Sequence, residues 1–281
     1  VSWYVFCAAI SAAKLLRFDS DKIANAMGLA AAAAPVPITG KQTSHITQKR
    51  PYPMSKCSLS GAISEAGVMG ALLAGKGLSG DCTVLDGDRG FWRILGASEC
   101  QWERLEAGLG ENWSITQTSF KKYPACRFVH PPLDLFQKII GENKLRVEEI
   151  EQINVFVLSL AKADGFDDVT VLSQIDTQFS IPYAMAVAAL VGPPSPKWQH
   201  RRFWNDPEIL KFASKISVHD YPAADREIGN AIAHGEMRKL PARLEIIARG
   251  HRFHAESEYI SGDPWSAETV MSDDDLTRKF I

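Results

Sequence analysis

Small side chains placed at helical spacing over the first third of the chain constrain the fold most. Val5, Ala8, Ala9, Ala12, Leu15 and Leu16 recur with the period of one helix face. Asp19-Ser20-Asp21 then supplies capping chemistry for a second helix through Ile23, Ala26, Met27 and Ala30. Side chains this small let helix axes approach closely, so the segment predicts a densely packed helical body. Pro35 and Pro37 end the second helix, because a proline nitrogen cannot donate and its ring clashes with the preceding turn. A third helix carries Leu59, Ala62, Ile63, Ala66, Met69, Leu72 and Leu73 on its apolar stripe, with Gly61, Gly67 and Gly70 interspersed. Gly75 and Gly77 break it, and a turn-rich connection from Leu85 to Trp92 follows.

After Trp113 helix and strand signals alternate. A helix is expected from Pro131 to Ile140, stopped by Gly141, then a short acidic helix Val147–Glu151 and a strand Ile153–Leu158. Ser180-Ile181-Pro182 opens another helix, with Ser180 as cap and the proline in the first turn, closed by Gly192. Pro207–Lys215 reads as a helix, and Leu244–Ala248 and Phe253–Ile260 as strands around Arg249-Gly250-His251. The shift near residue 115 predicts a boundary between an all-helical body and an α/β domain.

Composition narrows the function. Of 281 residues 46% are apolar and 23% charged, which excludes disorder as the dominant state. A net charge of −2 gives no global reason to bind nucleic acid or an anionic membrane, so any preference for anions must be local. The apolar opening, Val1 to Leu16, carries Ser2, Ser11 and Lys14 and lacks a basic flank and a cleavage site; it reads as a buried helix. The five cysteines form no CxxC pair, so neither a disulfide framework nor a structural zinc site is expected. Both ends of the chain read as cut within helices.

Three segments carry candidate chemistry. The loop from Pro35 to Lys56 holds Lys41, His45, Lys49, Arg50 and Lys56 and no carboxylate, so it reads either as an ordinary surface loop or as a cation beside a helix start that suits a carboxylate or phosphate. Phe120–Asp134 offers Lys121, Lys122, Tyr123, Cys126, Arg127 and His130 before its first carboxylate. There His130 sits at a helix N-terminus, which favours neutral imidazole. The alternative is a structural crossover with a capping His130 and a buried Cys126. In the third, Tyr183 lies in the first turn of an apolar helix, as a core phenol with one satisfied hydrogen bond or as a proton donor. Lys197, His200, Arg201 and Arg202 read either as a solvated loop, the favoured reading, or as a further positive rim. His251 and His254 lack paired-ligand spacing, so no metal site is expected.

At these residues the sequence resembles the MmgE/PrpD family, which contains 2-methylcitrate dehydratases, cis-aconitate decarboxylases and iminodisuccinate epimerases. The matching blocks, in order, are the Ala-rich helix pair to Ala34; Met54-Ser55-Lys56 with the Gly/Ala helix and Leu85-Asp86-Gly87-Asp88-Arg89-Gly90-Phe91; Lys121-Lys122-Tyr123-Pro124-Ala125-Cys126-Arg127 with His130 and Asp134; Gln178-Phe179-Ser180-Ile181-Pro182-Tyr183-Ala184; and the tail from Gly262-Asp263-Pro264 to Lys279-Phe280.

The resemblance implies a mainly α protein with an α+β lid: a helical domain over 1–116, completed by 263–281, and a smaller α/β lid domain over 117–262. It implies a site in the cleft between them, no metal or organic cofactor, and a homodimer. By motif position Lys56 and Lys121 are the active-site lysines and Tyr183 a candidate acid or orienting phenol. Cys126, Arg127 and His130 belong to the pocket wall or the layer behind it, and either Tyr183 or His130 assists proton transfer.

Family members carry an additional N-terminal segment with more helices and pocket residues, an aspartate, a threonine and histidines among them. This chain starts just after the last of those histidines, so a further segment or chain is expected to complete the site. The expected activity is a cofactor-independent lyase acting on a small di- or tricarboxylate, in the cytoplasm or, in a eukaryote, the mitochondrion. The rivals are a non-catalytic C-terminal fragment that docks on a partner, and an epimerase or isomerase on the same scaffold.

Overall fold

A computed structural model describes residues 3–35, 50–53, 59–235 and 237–280. They divide into two compact units, one drawn from 1–44 and 53–112, the other from 45–52 and 113–281.

The first unit is helical. Its main helices are α1 (Tyr4–Leu15), α2 (Ser20–Ala32) and α3 (Leu59–Gly75), followed by the short α4 (Phe91–Ile94) and α5 (Trp102–Glu106). The Asp19 carboxylate accepts the Lys22 N–H at 2.9 Å and starts α2 as the sequence predicts. Gly67 shows why α3 carries glycine: a Cβ there would lie 2.5 Å from the Val5 carbonyl oxygen and 2.6 Å from Ala8 Cβ. Absence of a side chain is what lets α1 lie against α3. Val5, Phe6, Ala9, Ala30 and Ile63 form the core beneath, closed by Phe91, whose ring meets Phe6 edge-on at 4.9 Å. Tyr4 and Leu15 on α1 and Val68, Met69 and Leu72 on α3 remain exposed.

The second unit is built round a four-stranded sheet. Its elements are α6 (His130–Asn143), β1 (Ile150–Val157), α7 (Ser159–Ala163), α8 (Ile181–Leu190), α9 (Pro207–Ala213), β2 (Ile216–Asp220), α10 (Pro222–His234), β3 (Ala242–Ala248), β4 (His251–Ser257) and α11 (Asp273–Phe280). Strand order is β2-β1-β3-β4, with β1 parallel to β2 and the other pairs antiparallel. Val155 stands opposite Val218 on one side and Leu244 on the other, so the apolar alternation of three strands falls on one face. That face joins Leu133, Phe136 and Ile139 of α6 and Ile181, Met185 and Val187 of α8 in one core. Nearly every α8 side chain is buried, as expected of a helix apolar all round. Phe136 is fully buried, and Phe136→Ala would cost about 3–5 kcal/mol. The edge strand β4 is protected by its exposed, polar His251, Arg252, His254 and Glu256.

Several boundaries differ from expectation. Helix α6 runs through Gly141 and stops at Lys144, which takes the left-handed conformation at φ 49°. The acidic helix is one 3-10 turn, Val147–Glu149, because Ile150 and Glu151 are drawn into β1, three residues before its expected start. Strand β2 and helix α10 were not foreseen. Residues 263–281, expected to complete the helical body, group with the second unit. Among the described residues no helix is long and apolar enough to cross a membrane. The mainly helical architecture with one small mixed sheet is as the sequence implies.

Candidate functional site

The segment Phe120–His130 is pinned at nearly every residue. The Phe120 N–H donates to the Gly262 carbonyl at 2.9 Å, and a Cβ on Gly262, which has φ +93°, would lie 2.0 Å from the Phe120 carbonyl oxygen. The ammonium of Lys279 on α11 donates to the Lys121 carbonyl. Arg127 donates to the Phe120 carbonyl at 3.3 Å and pairs with the carboxylate of Asp263. Farther along, the Cys126 N–H reaches the Gln178 carbonyl at 2.8 Å, and Gln199 Nε2 the Pro124 carbonyl at 3.1 Å.

The two adjacent lysines have different fates. Lys122 Nζ lies 3.3 Å from Asp134 Oδ1, an oxygen that also accepts the Tyr123 hydroxyl at 2.9 Å. Lys121 is exposed, and among the described residues it has no carboxylate partner.

His130 is fully buried, and neither ring nitrogen makes a hydrogen bond to the described residues. Its ring meets Tyr123 edge-on at 5.2 Å. Burial, then the charges of Arg127 and Lys121, push its pKa down from 6.5 to about 3, against a weaker upward pull from the Ala125 and Tyr123 carbonyls. It is therefore a neutral imidazole, as its helix-start position suggested, and it has no exposed surface through which to meet a ligand.

Tyr183 takes the core-phenol reading. It is 1% exposed, and its hydroxyl donates to the Trp198 carbonyl at 2.8 Å. Burial raises its pKa beyond the usual phenol range. A phenol so committed makes a poor proton donor. Ser180 accepts the Tyr183 N–H at 3.2 Å and holds it in the first turn of α8. Cys126 is half-buried against the main core.

Lys56 lies outside the described residues, as do Lys41, His45 and Lys49, so their expected role rests on the sequence alone. Arg50 is described, and it is no free cation. Its guanidinium donates to the carbonyls of Thr170 at 2.6 Å and Gly165 at 3.0 Å, and pairs with Asp168 at 3.2 Å. Beside it the fully buried Asp176 accepts the N–H groups of Tyr52, Leu172 and Ser173 at 2.8–2.9 Å. Arg50 and Asp176 thus fasten Arg50–Tyr52 to the second unit, a role the sequence did not disclose.

Trp198 was also missed. It stacks on Tyr123 at 5.9 Å, donates to the Gly192 carbonyl at 3.1 Å and accepts from Tyr183, so it ties the lysine-bearing segment to α8. Its signal in the sequence is a lone tryptophan inside the cationic Lys197–Arg202 run. No group of three or more His, Cys, Asp or Glu among the described residues is placed to hold a metal ion.

Two family models match the chain: the MmgE/PrpD N-terminal domain over residues 1–103 and the MmgE/PrpD C-terminal domain over residues 123–281. The chain belongs to the MmgE/PrpD family. Membership places it in a family of the dehydratase and lyase type. No curated protein matches the chain. The second of the two matches begins at Tyr123, so all of α6 and the sheet fall within the MmgE/PrpD C-terminal domain, while Lys121 stands two residues before it.

Proposed function

We propose that this MmgE/PrpD chain is a cofactor-independent lyase acting on a small di- or tricarboxylate, of the 2-methylcitrate dehydratase or cis-aconitate decarboxylase kind. One observation carries the reading beyond family membership: among the described residues the exposed Lys121 has no carboxylate partner, while its neighbour Lys122, on the same held segment, is paired with Asp134. An exposed, unneutralised ammonium on a fixed backbone suits a carboxylate anion.

In dehydration, removing a proton next to a carboxylate builds enolate-like charge on the carboxylate oxygens, and departure of hydroxide discharges it; in decarboxylation, departure of carbon dioxide leaves that charge behind, and a proton delivered to carbon discharges it. A preplaced cation stabilises that charge as it develops. Lys121 serves as that cation, with Lys56 as the second by family motif. His130, neutral and buried, adds no competing charge. Tyr183 holds Trp198, which stacks on Tyr123 of the segment that carries Lys121.

The test is incubation with 2-methylcitrate and with cis-aconitate in deuterium oxide, followed by mass spectrometry. Loss of water or of carbon dioxide supports the lyase. Deuterium incorporation without net loss points to an epimerase, and no change in either substrate contradicts the proposal.

A further inference from the structure

We infer that Asp134 is the positioning residue for Lys121, an inference that rests on the reading of Lys121 given above. Asp134 lies on the second turn of α6, and three residues from two separate segments of the unit converge on its carboxylate. Oδ1 accepts the Tyr123 hydroxyl at 2.9 Å and lies 3.3 Å from Lys122 Nζ, while Oδ2 accepts the Ser261 N–H at 3.1 Å. The first two contacts fix the two residues that follow Lys121. The third fixes the residue before Gly262, whose carbonyl holds the Phe120 N–H at 2.9 Å, and Phe120 immediately precedes Lys121. One carboxylate therefore sets the backbone on both sides of Lys121 without neutralising Lys121 itself.

The same carboxylate explains why the lysines do not exchange roles. Asp134 claims the ammonium of Lys122, and Lys122 also lies close enough to Asp275 of α11 to lower that carboxyl's pKa. Loss of the Asp134 charge would free Lys122 and release the Tyr123 ring, which packs between His130 and Trp198. Lys121 would then keep its charge and lose its place. A displacement of about 1 Å in a positioned group can cost up to roughly a hundredfold in rate.

The experiment is a double-mutant cycle on D134N and K121A, read by isothermal titration with citrate as the tricarboxylate probe and by kcat and KM for whichever substrate turns over. D134N keeps the shape of the side chain and removes its charge. In the Lys121 background it is expected to weaken citrate binding about tenfold, and in the K121A background to change it little, because contacts acting through one residue are not additive. Y123F is the milder second variant, removing one hydrogen bond and leaving the carboxylate; its smaller effect should likewise vanish in K121A. Equal losses from D134N with and without Lys121, or no loss in either, would overturn the positioning role. Equal citrate affinity in wild type and K121A would instead defeat the functional reading of Lys121, and the positioning role with it.

Discussion

Arg127 and Asp263 form an ion pair in which both side chains are largely withdrawn from water, 18% and 6% exposed. They lie more than a hundred residues apart in sequence, and their pairing closes the loop at Gly262 onto the segment that carries Lys121. Removing one partner leaves the other charge buried without compensation. Arg127→Met or Asp263→Asn is expected to destabilise the protein by about 3–5 kcal/mol, and the double substitution by less than the sum. Urea unfolding of the three variants beside wild type measures this, and an additive double variant would show that the pair is not coupled.

The buried His130 sets a pH dependence. Its folded-state pKa of about 3 lies below the ordinary value of 6.5. Between those values the unfolded chain binds a proton that the folded protein refuses, so stability falls as pH falls through that window. Above it both states are neutral, and His130 contributes nothing to the slope. The contribution approaches about 1.4 kcal/mol per pH unit in the middle of the window. His130→Leu is expected to flatten the acid limb of a stability-against-pH curve measured from pH 4 to pH 8. Curves of equal slope would mean that His130 titrates normally in the fold.

Glycine in α3 gives an internal control for the packing of the helical unit. At Gly67 an added Cβ meets the Val5 carbonyl at 2.5 Å, whereas at Gly61 it meets nothing within 4 Å. Gly67→Ala is expected to cost about 1–3 kcal/mol by forcing α1 away. Gly61→Ala is expected to be neutral or to stabilise by about 0.5–1 kcal/mol through helix propensity. Thermal melting compares the two, and equal melting temperatures would remove the close-approach explanation.

The helical half was readable because its signals are local. The Asp19 cap, the alanine stripe and the glycines of α3 each act within a turn or against a helix nearby in sequence. Ser180 and Tyr183 were legible for the same reason: a cap and the N–H group it accepts lie three residues apart. The sequence hid what depends on distant partners. Nothing near Arg50 shows that its guanidinium is consumed by carbonyls more than a hundred residues away, nor that Asp176 is spent on backbone N–H groups. The short β2 was overlooked because five residues of alternation are a weak signal without the neighbouring strand that stabilises them. The contrast between Lys121 and Lys122 is of this kind too, since only the fold brings Asp134 to one and not the other.

The central claim is that the exposed ammonium of Lys121 binds and polarises substrate carboxylate. Its most direct test compares kcat/KM for 2-methylcitrate and cis-aconitate in wild type, Lys121→Ala and Lys197→Ala, the last removing an exposed lysine of the 3-10 turn Pro196–Gln199. Loss of a transition-state charge contact should lower kcat/KM in Lys121→Ala by about 10²–10³-fold and leave Lys197→Ala near wild type. Wild-type turnover in Lys121→Ala, or an equal fall in both variants, would contradict it.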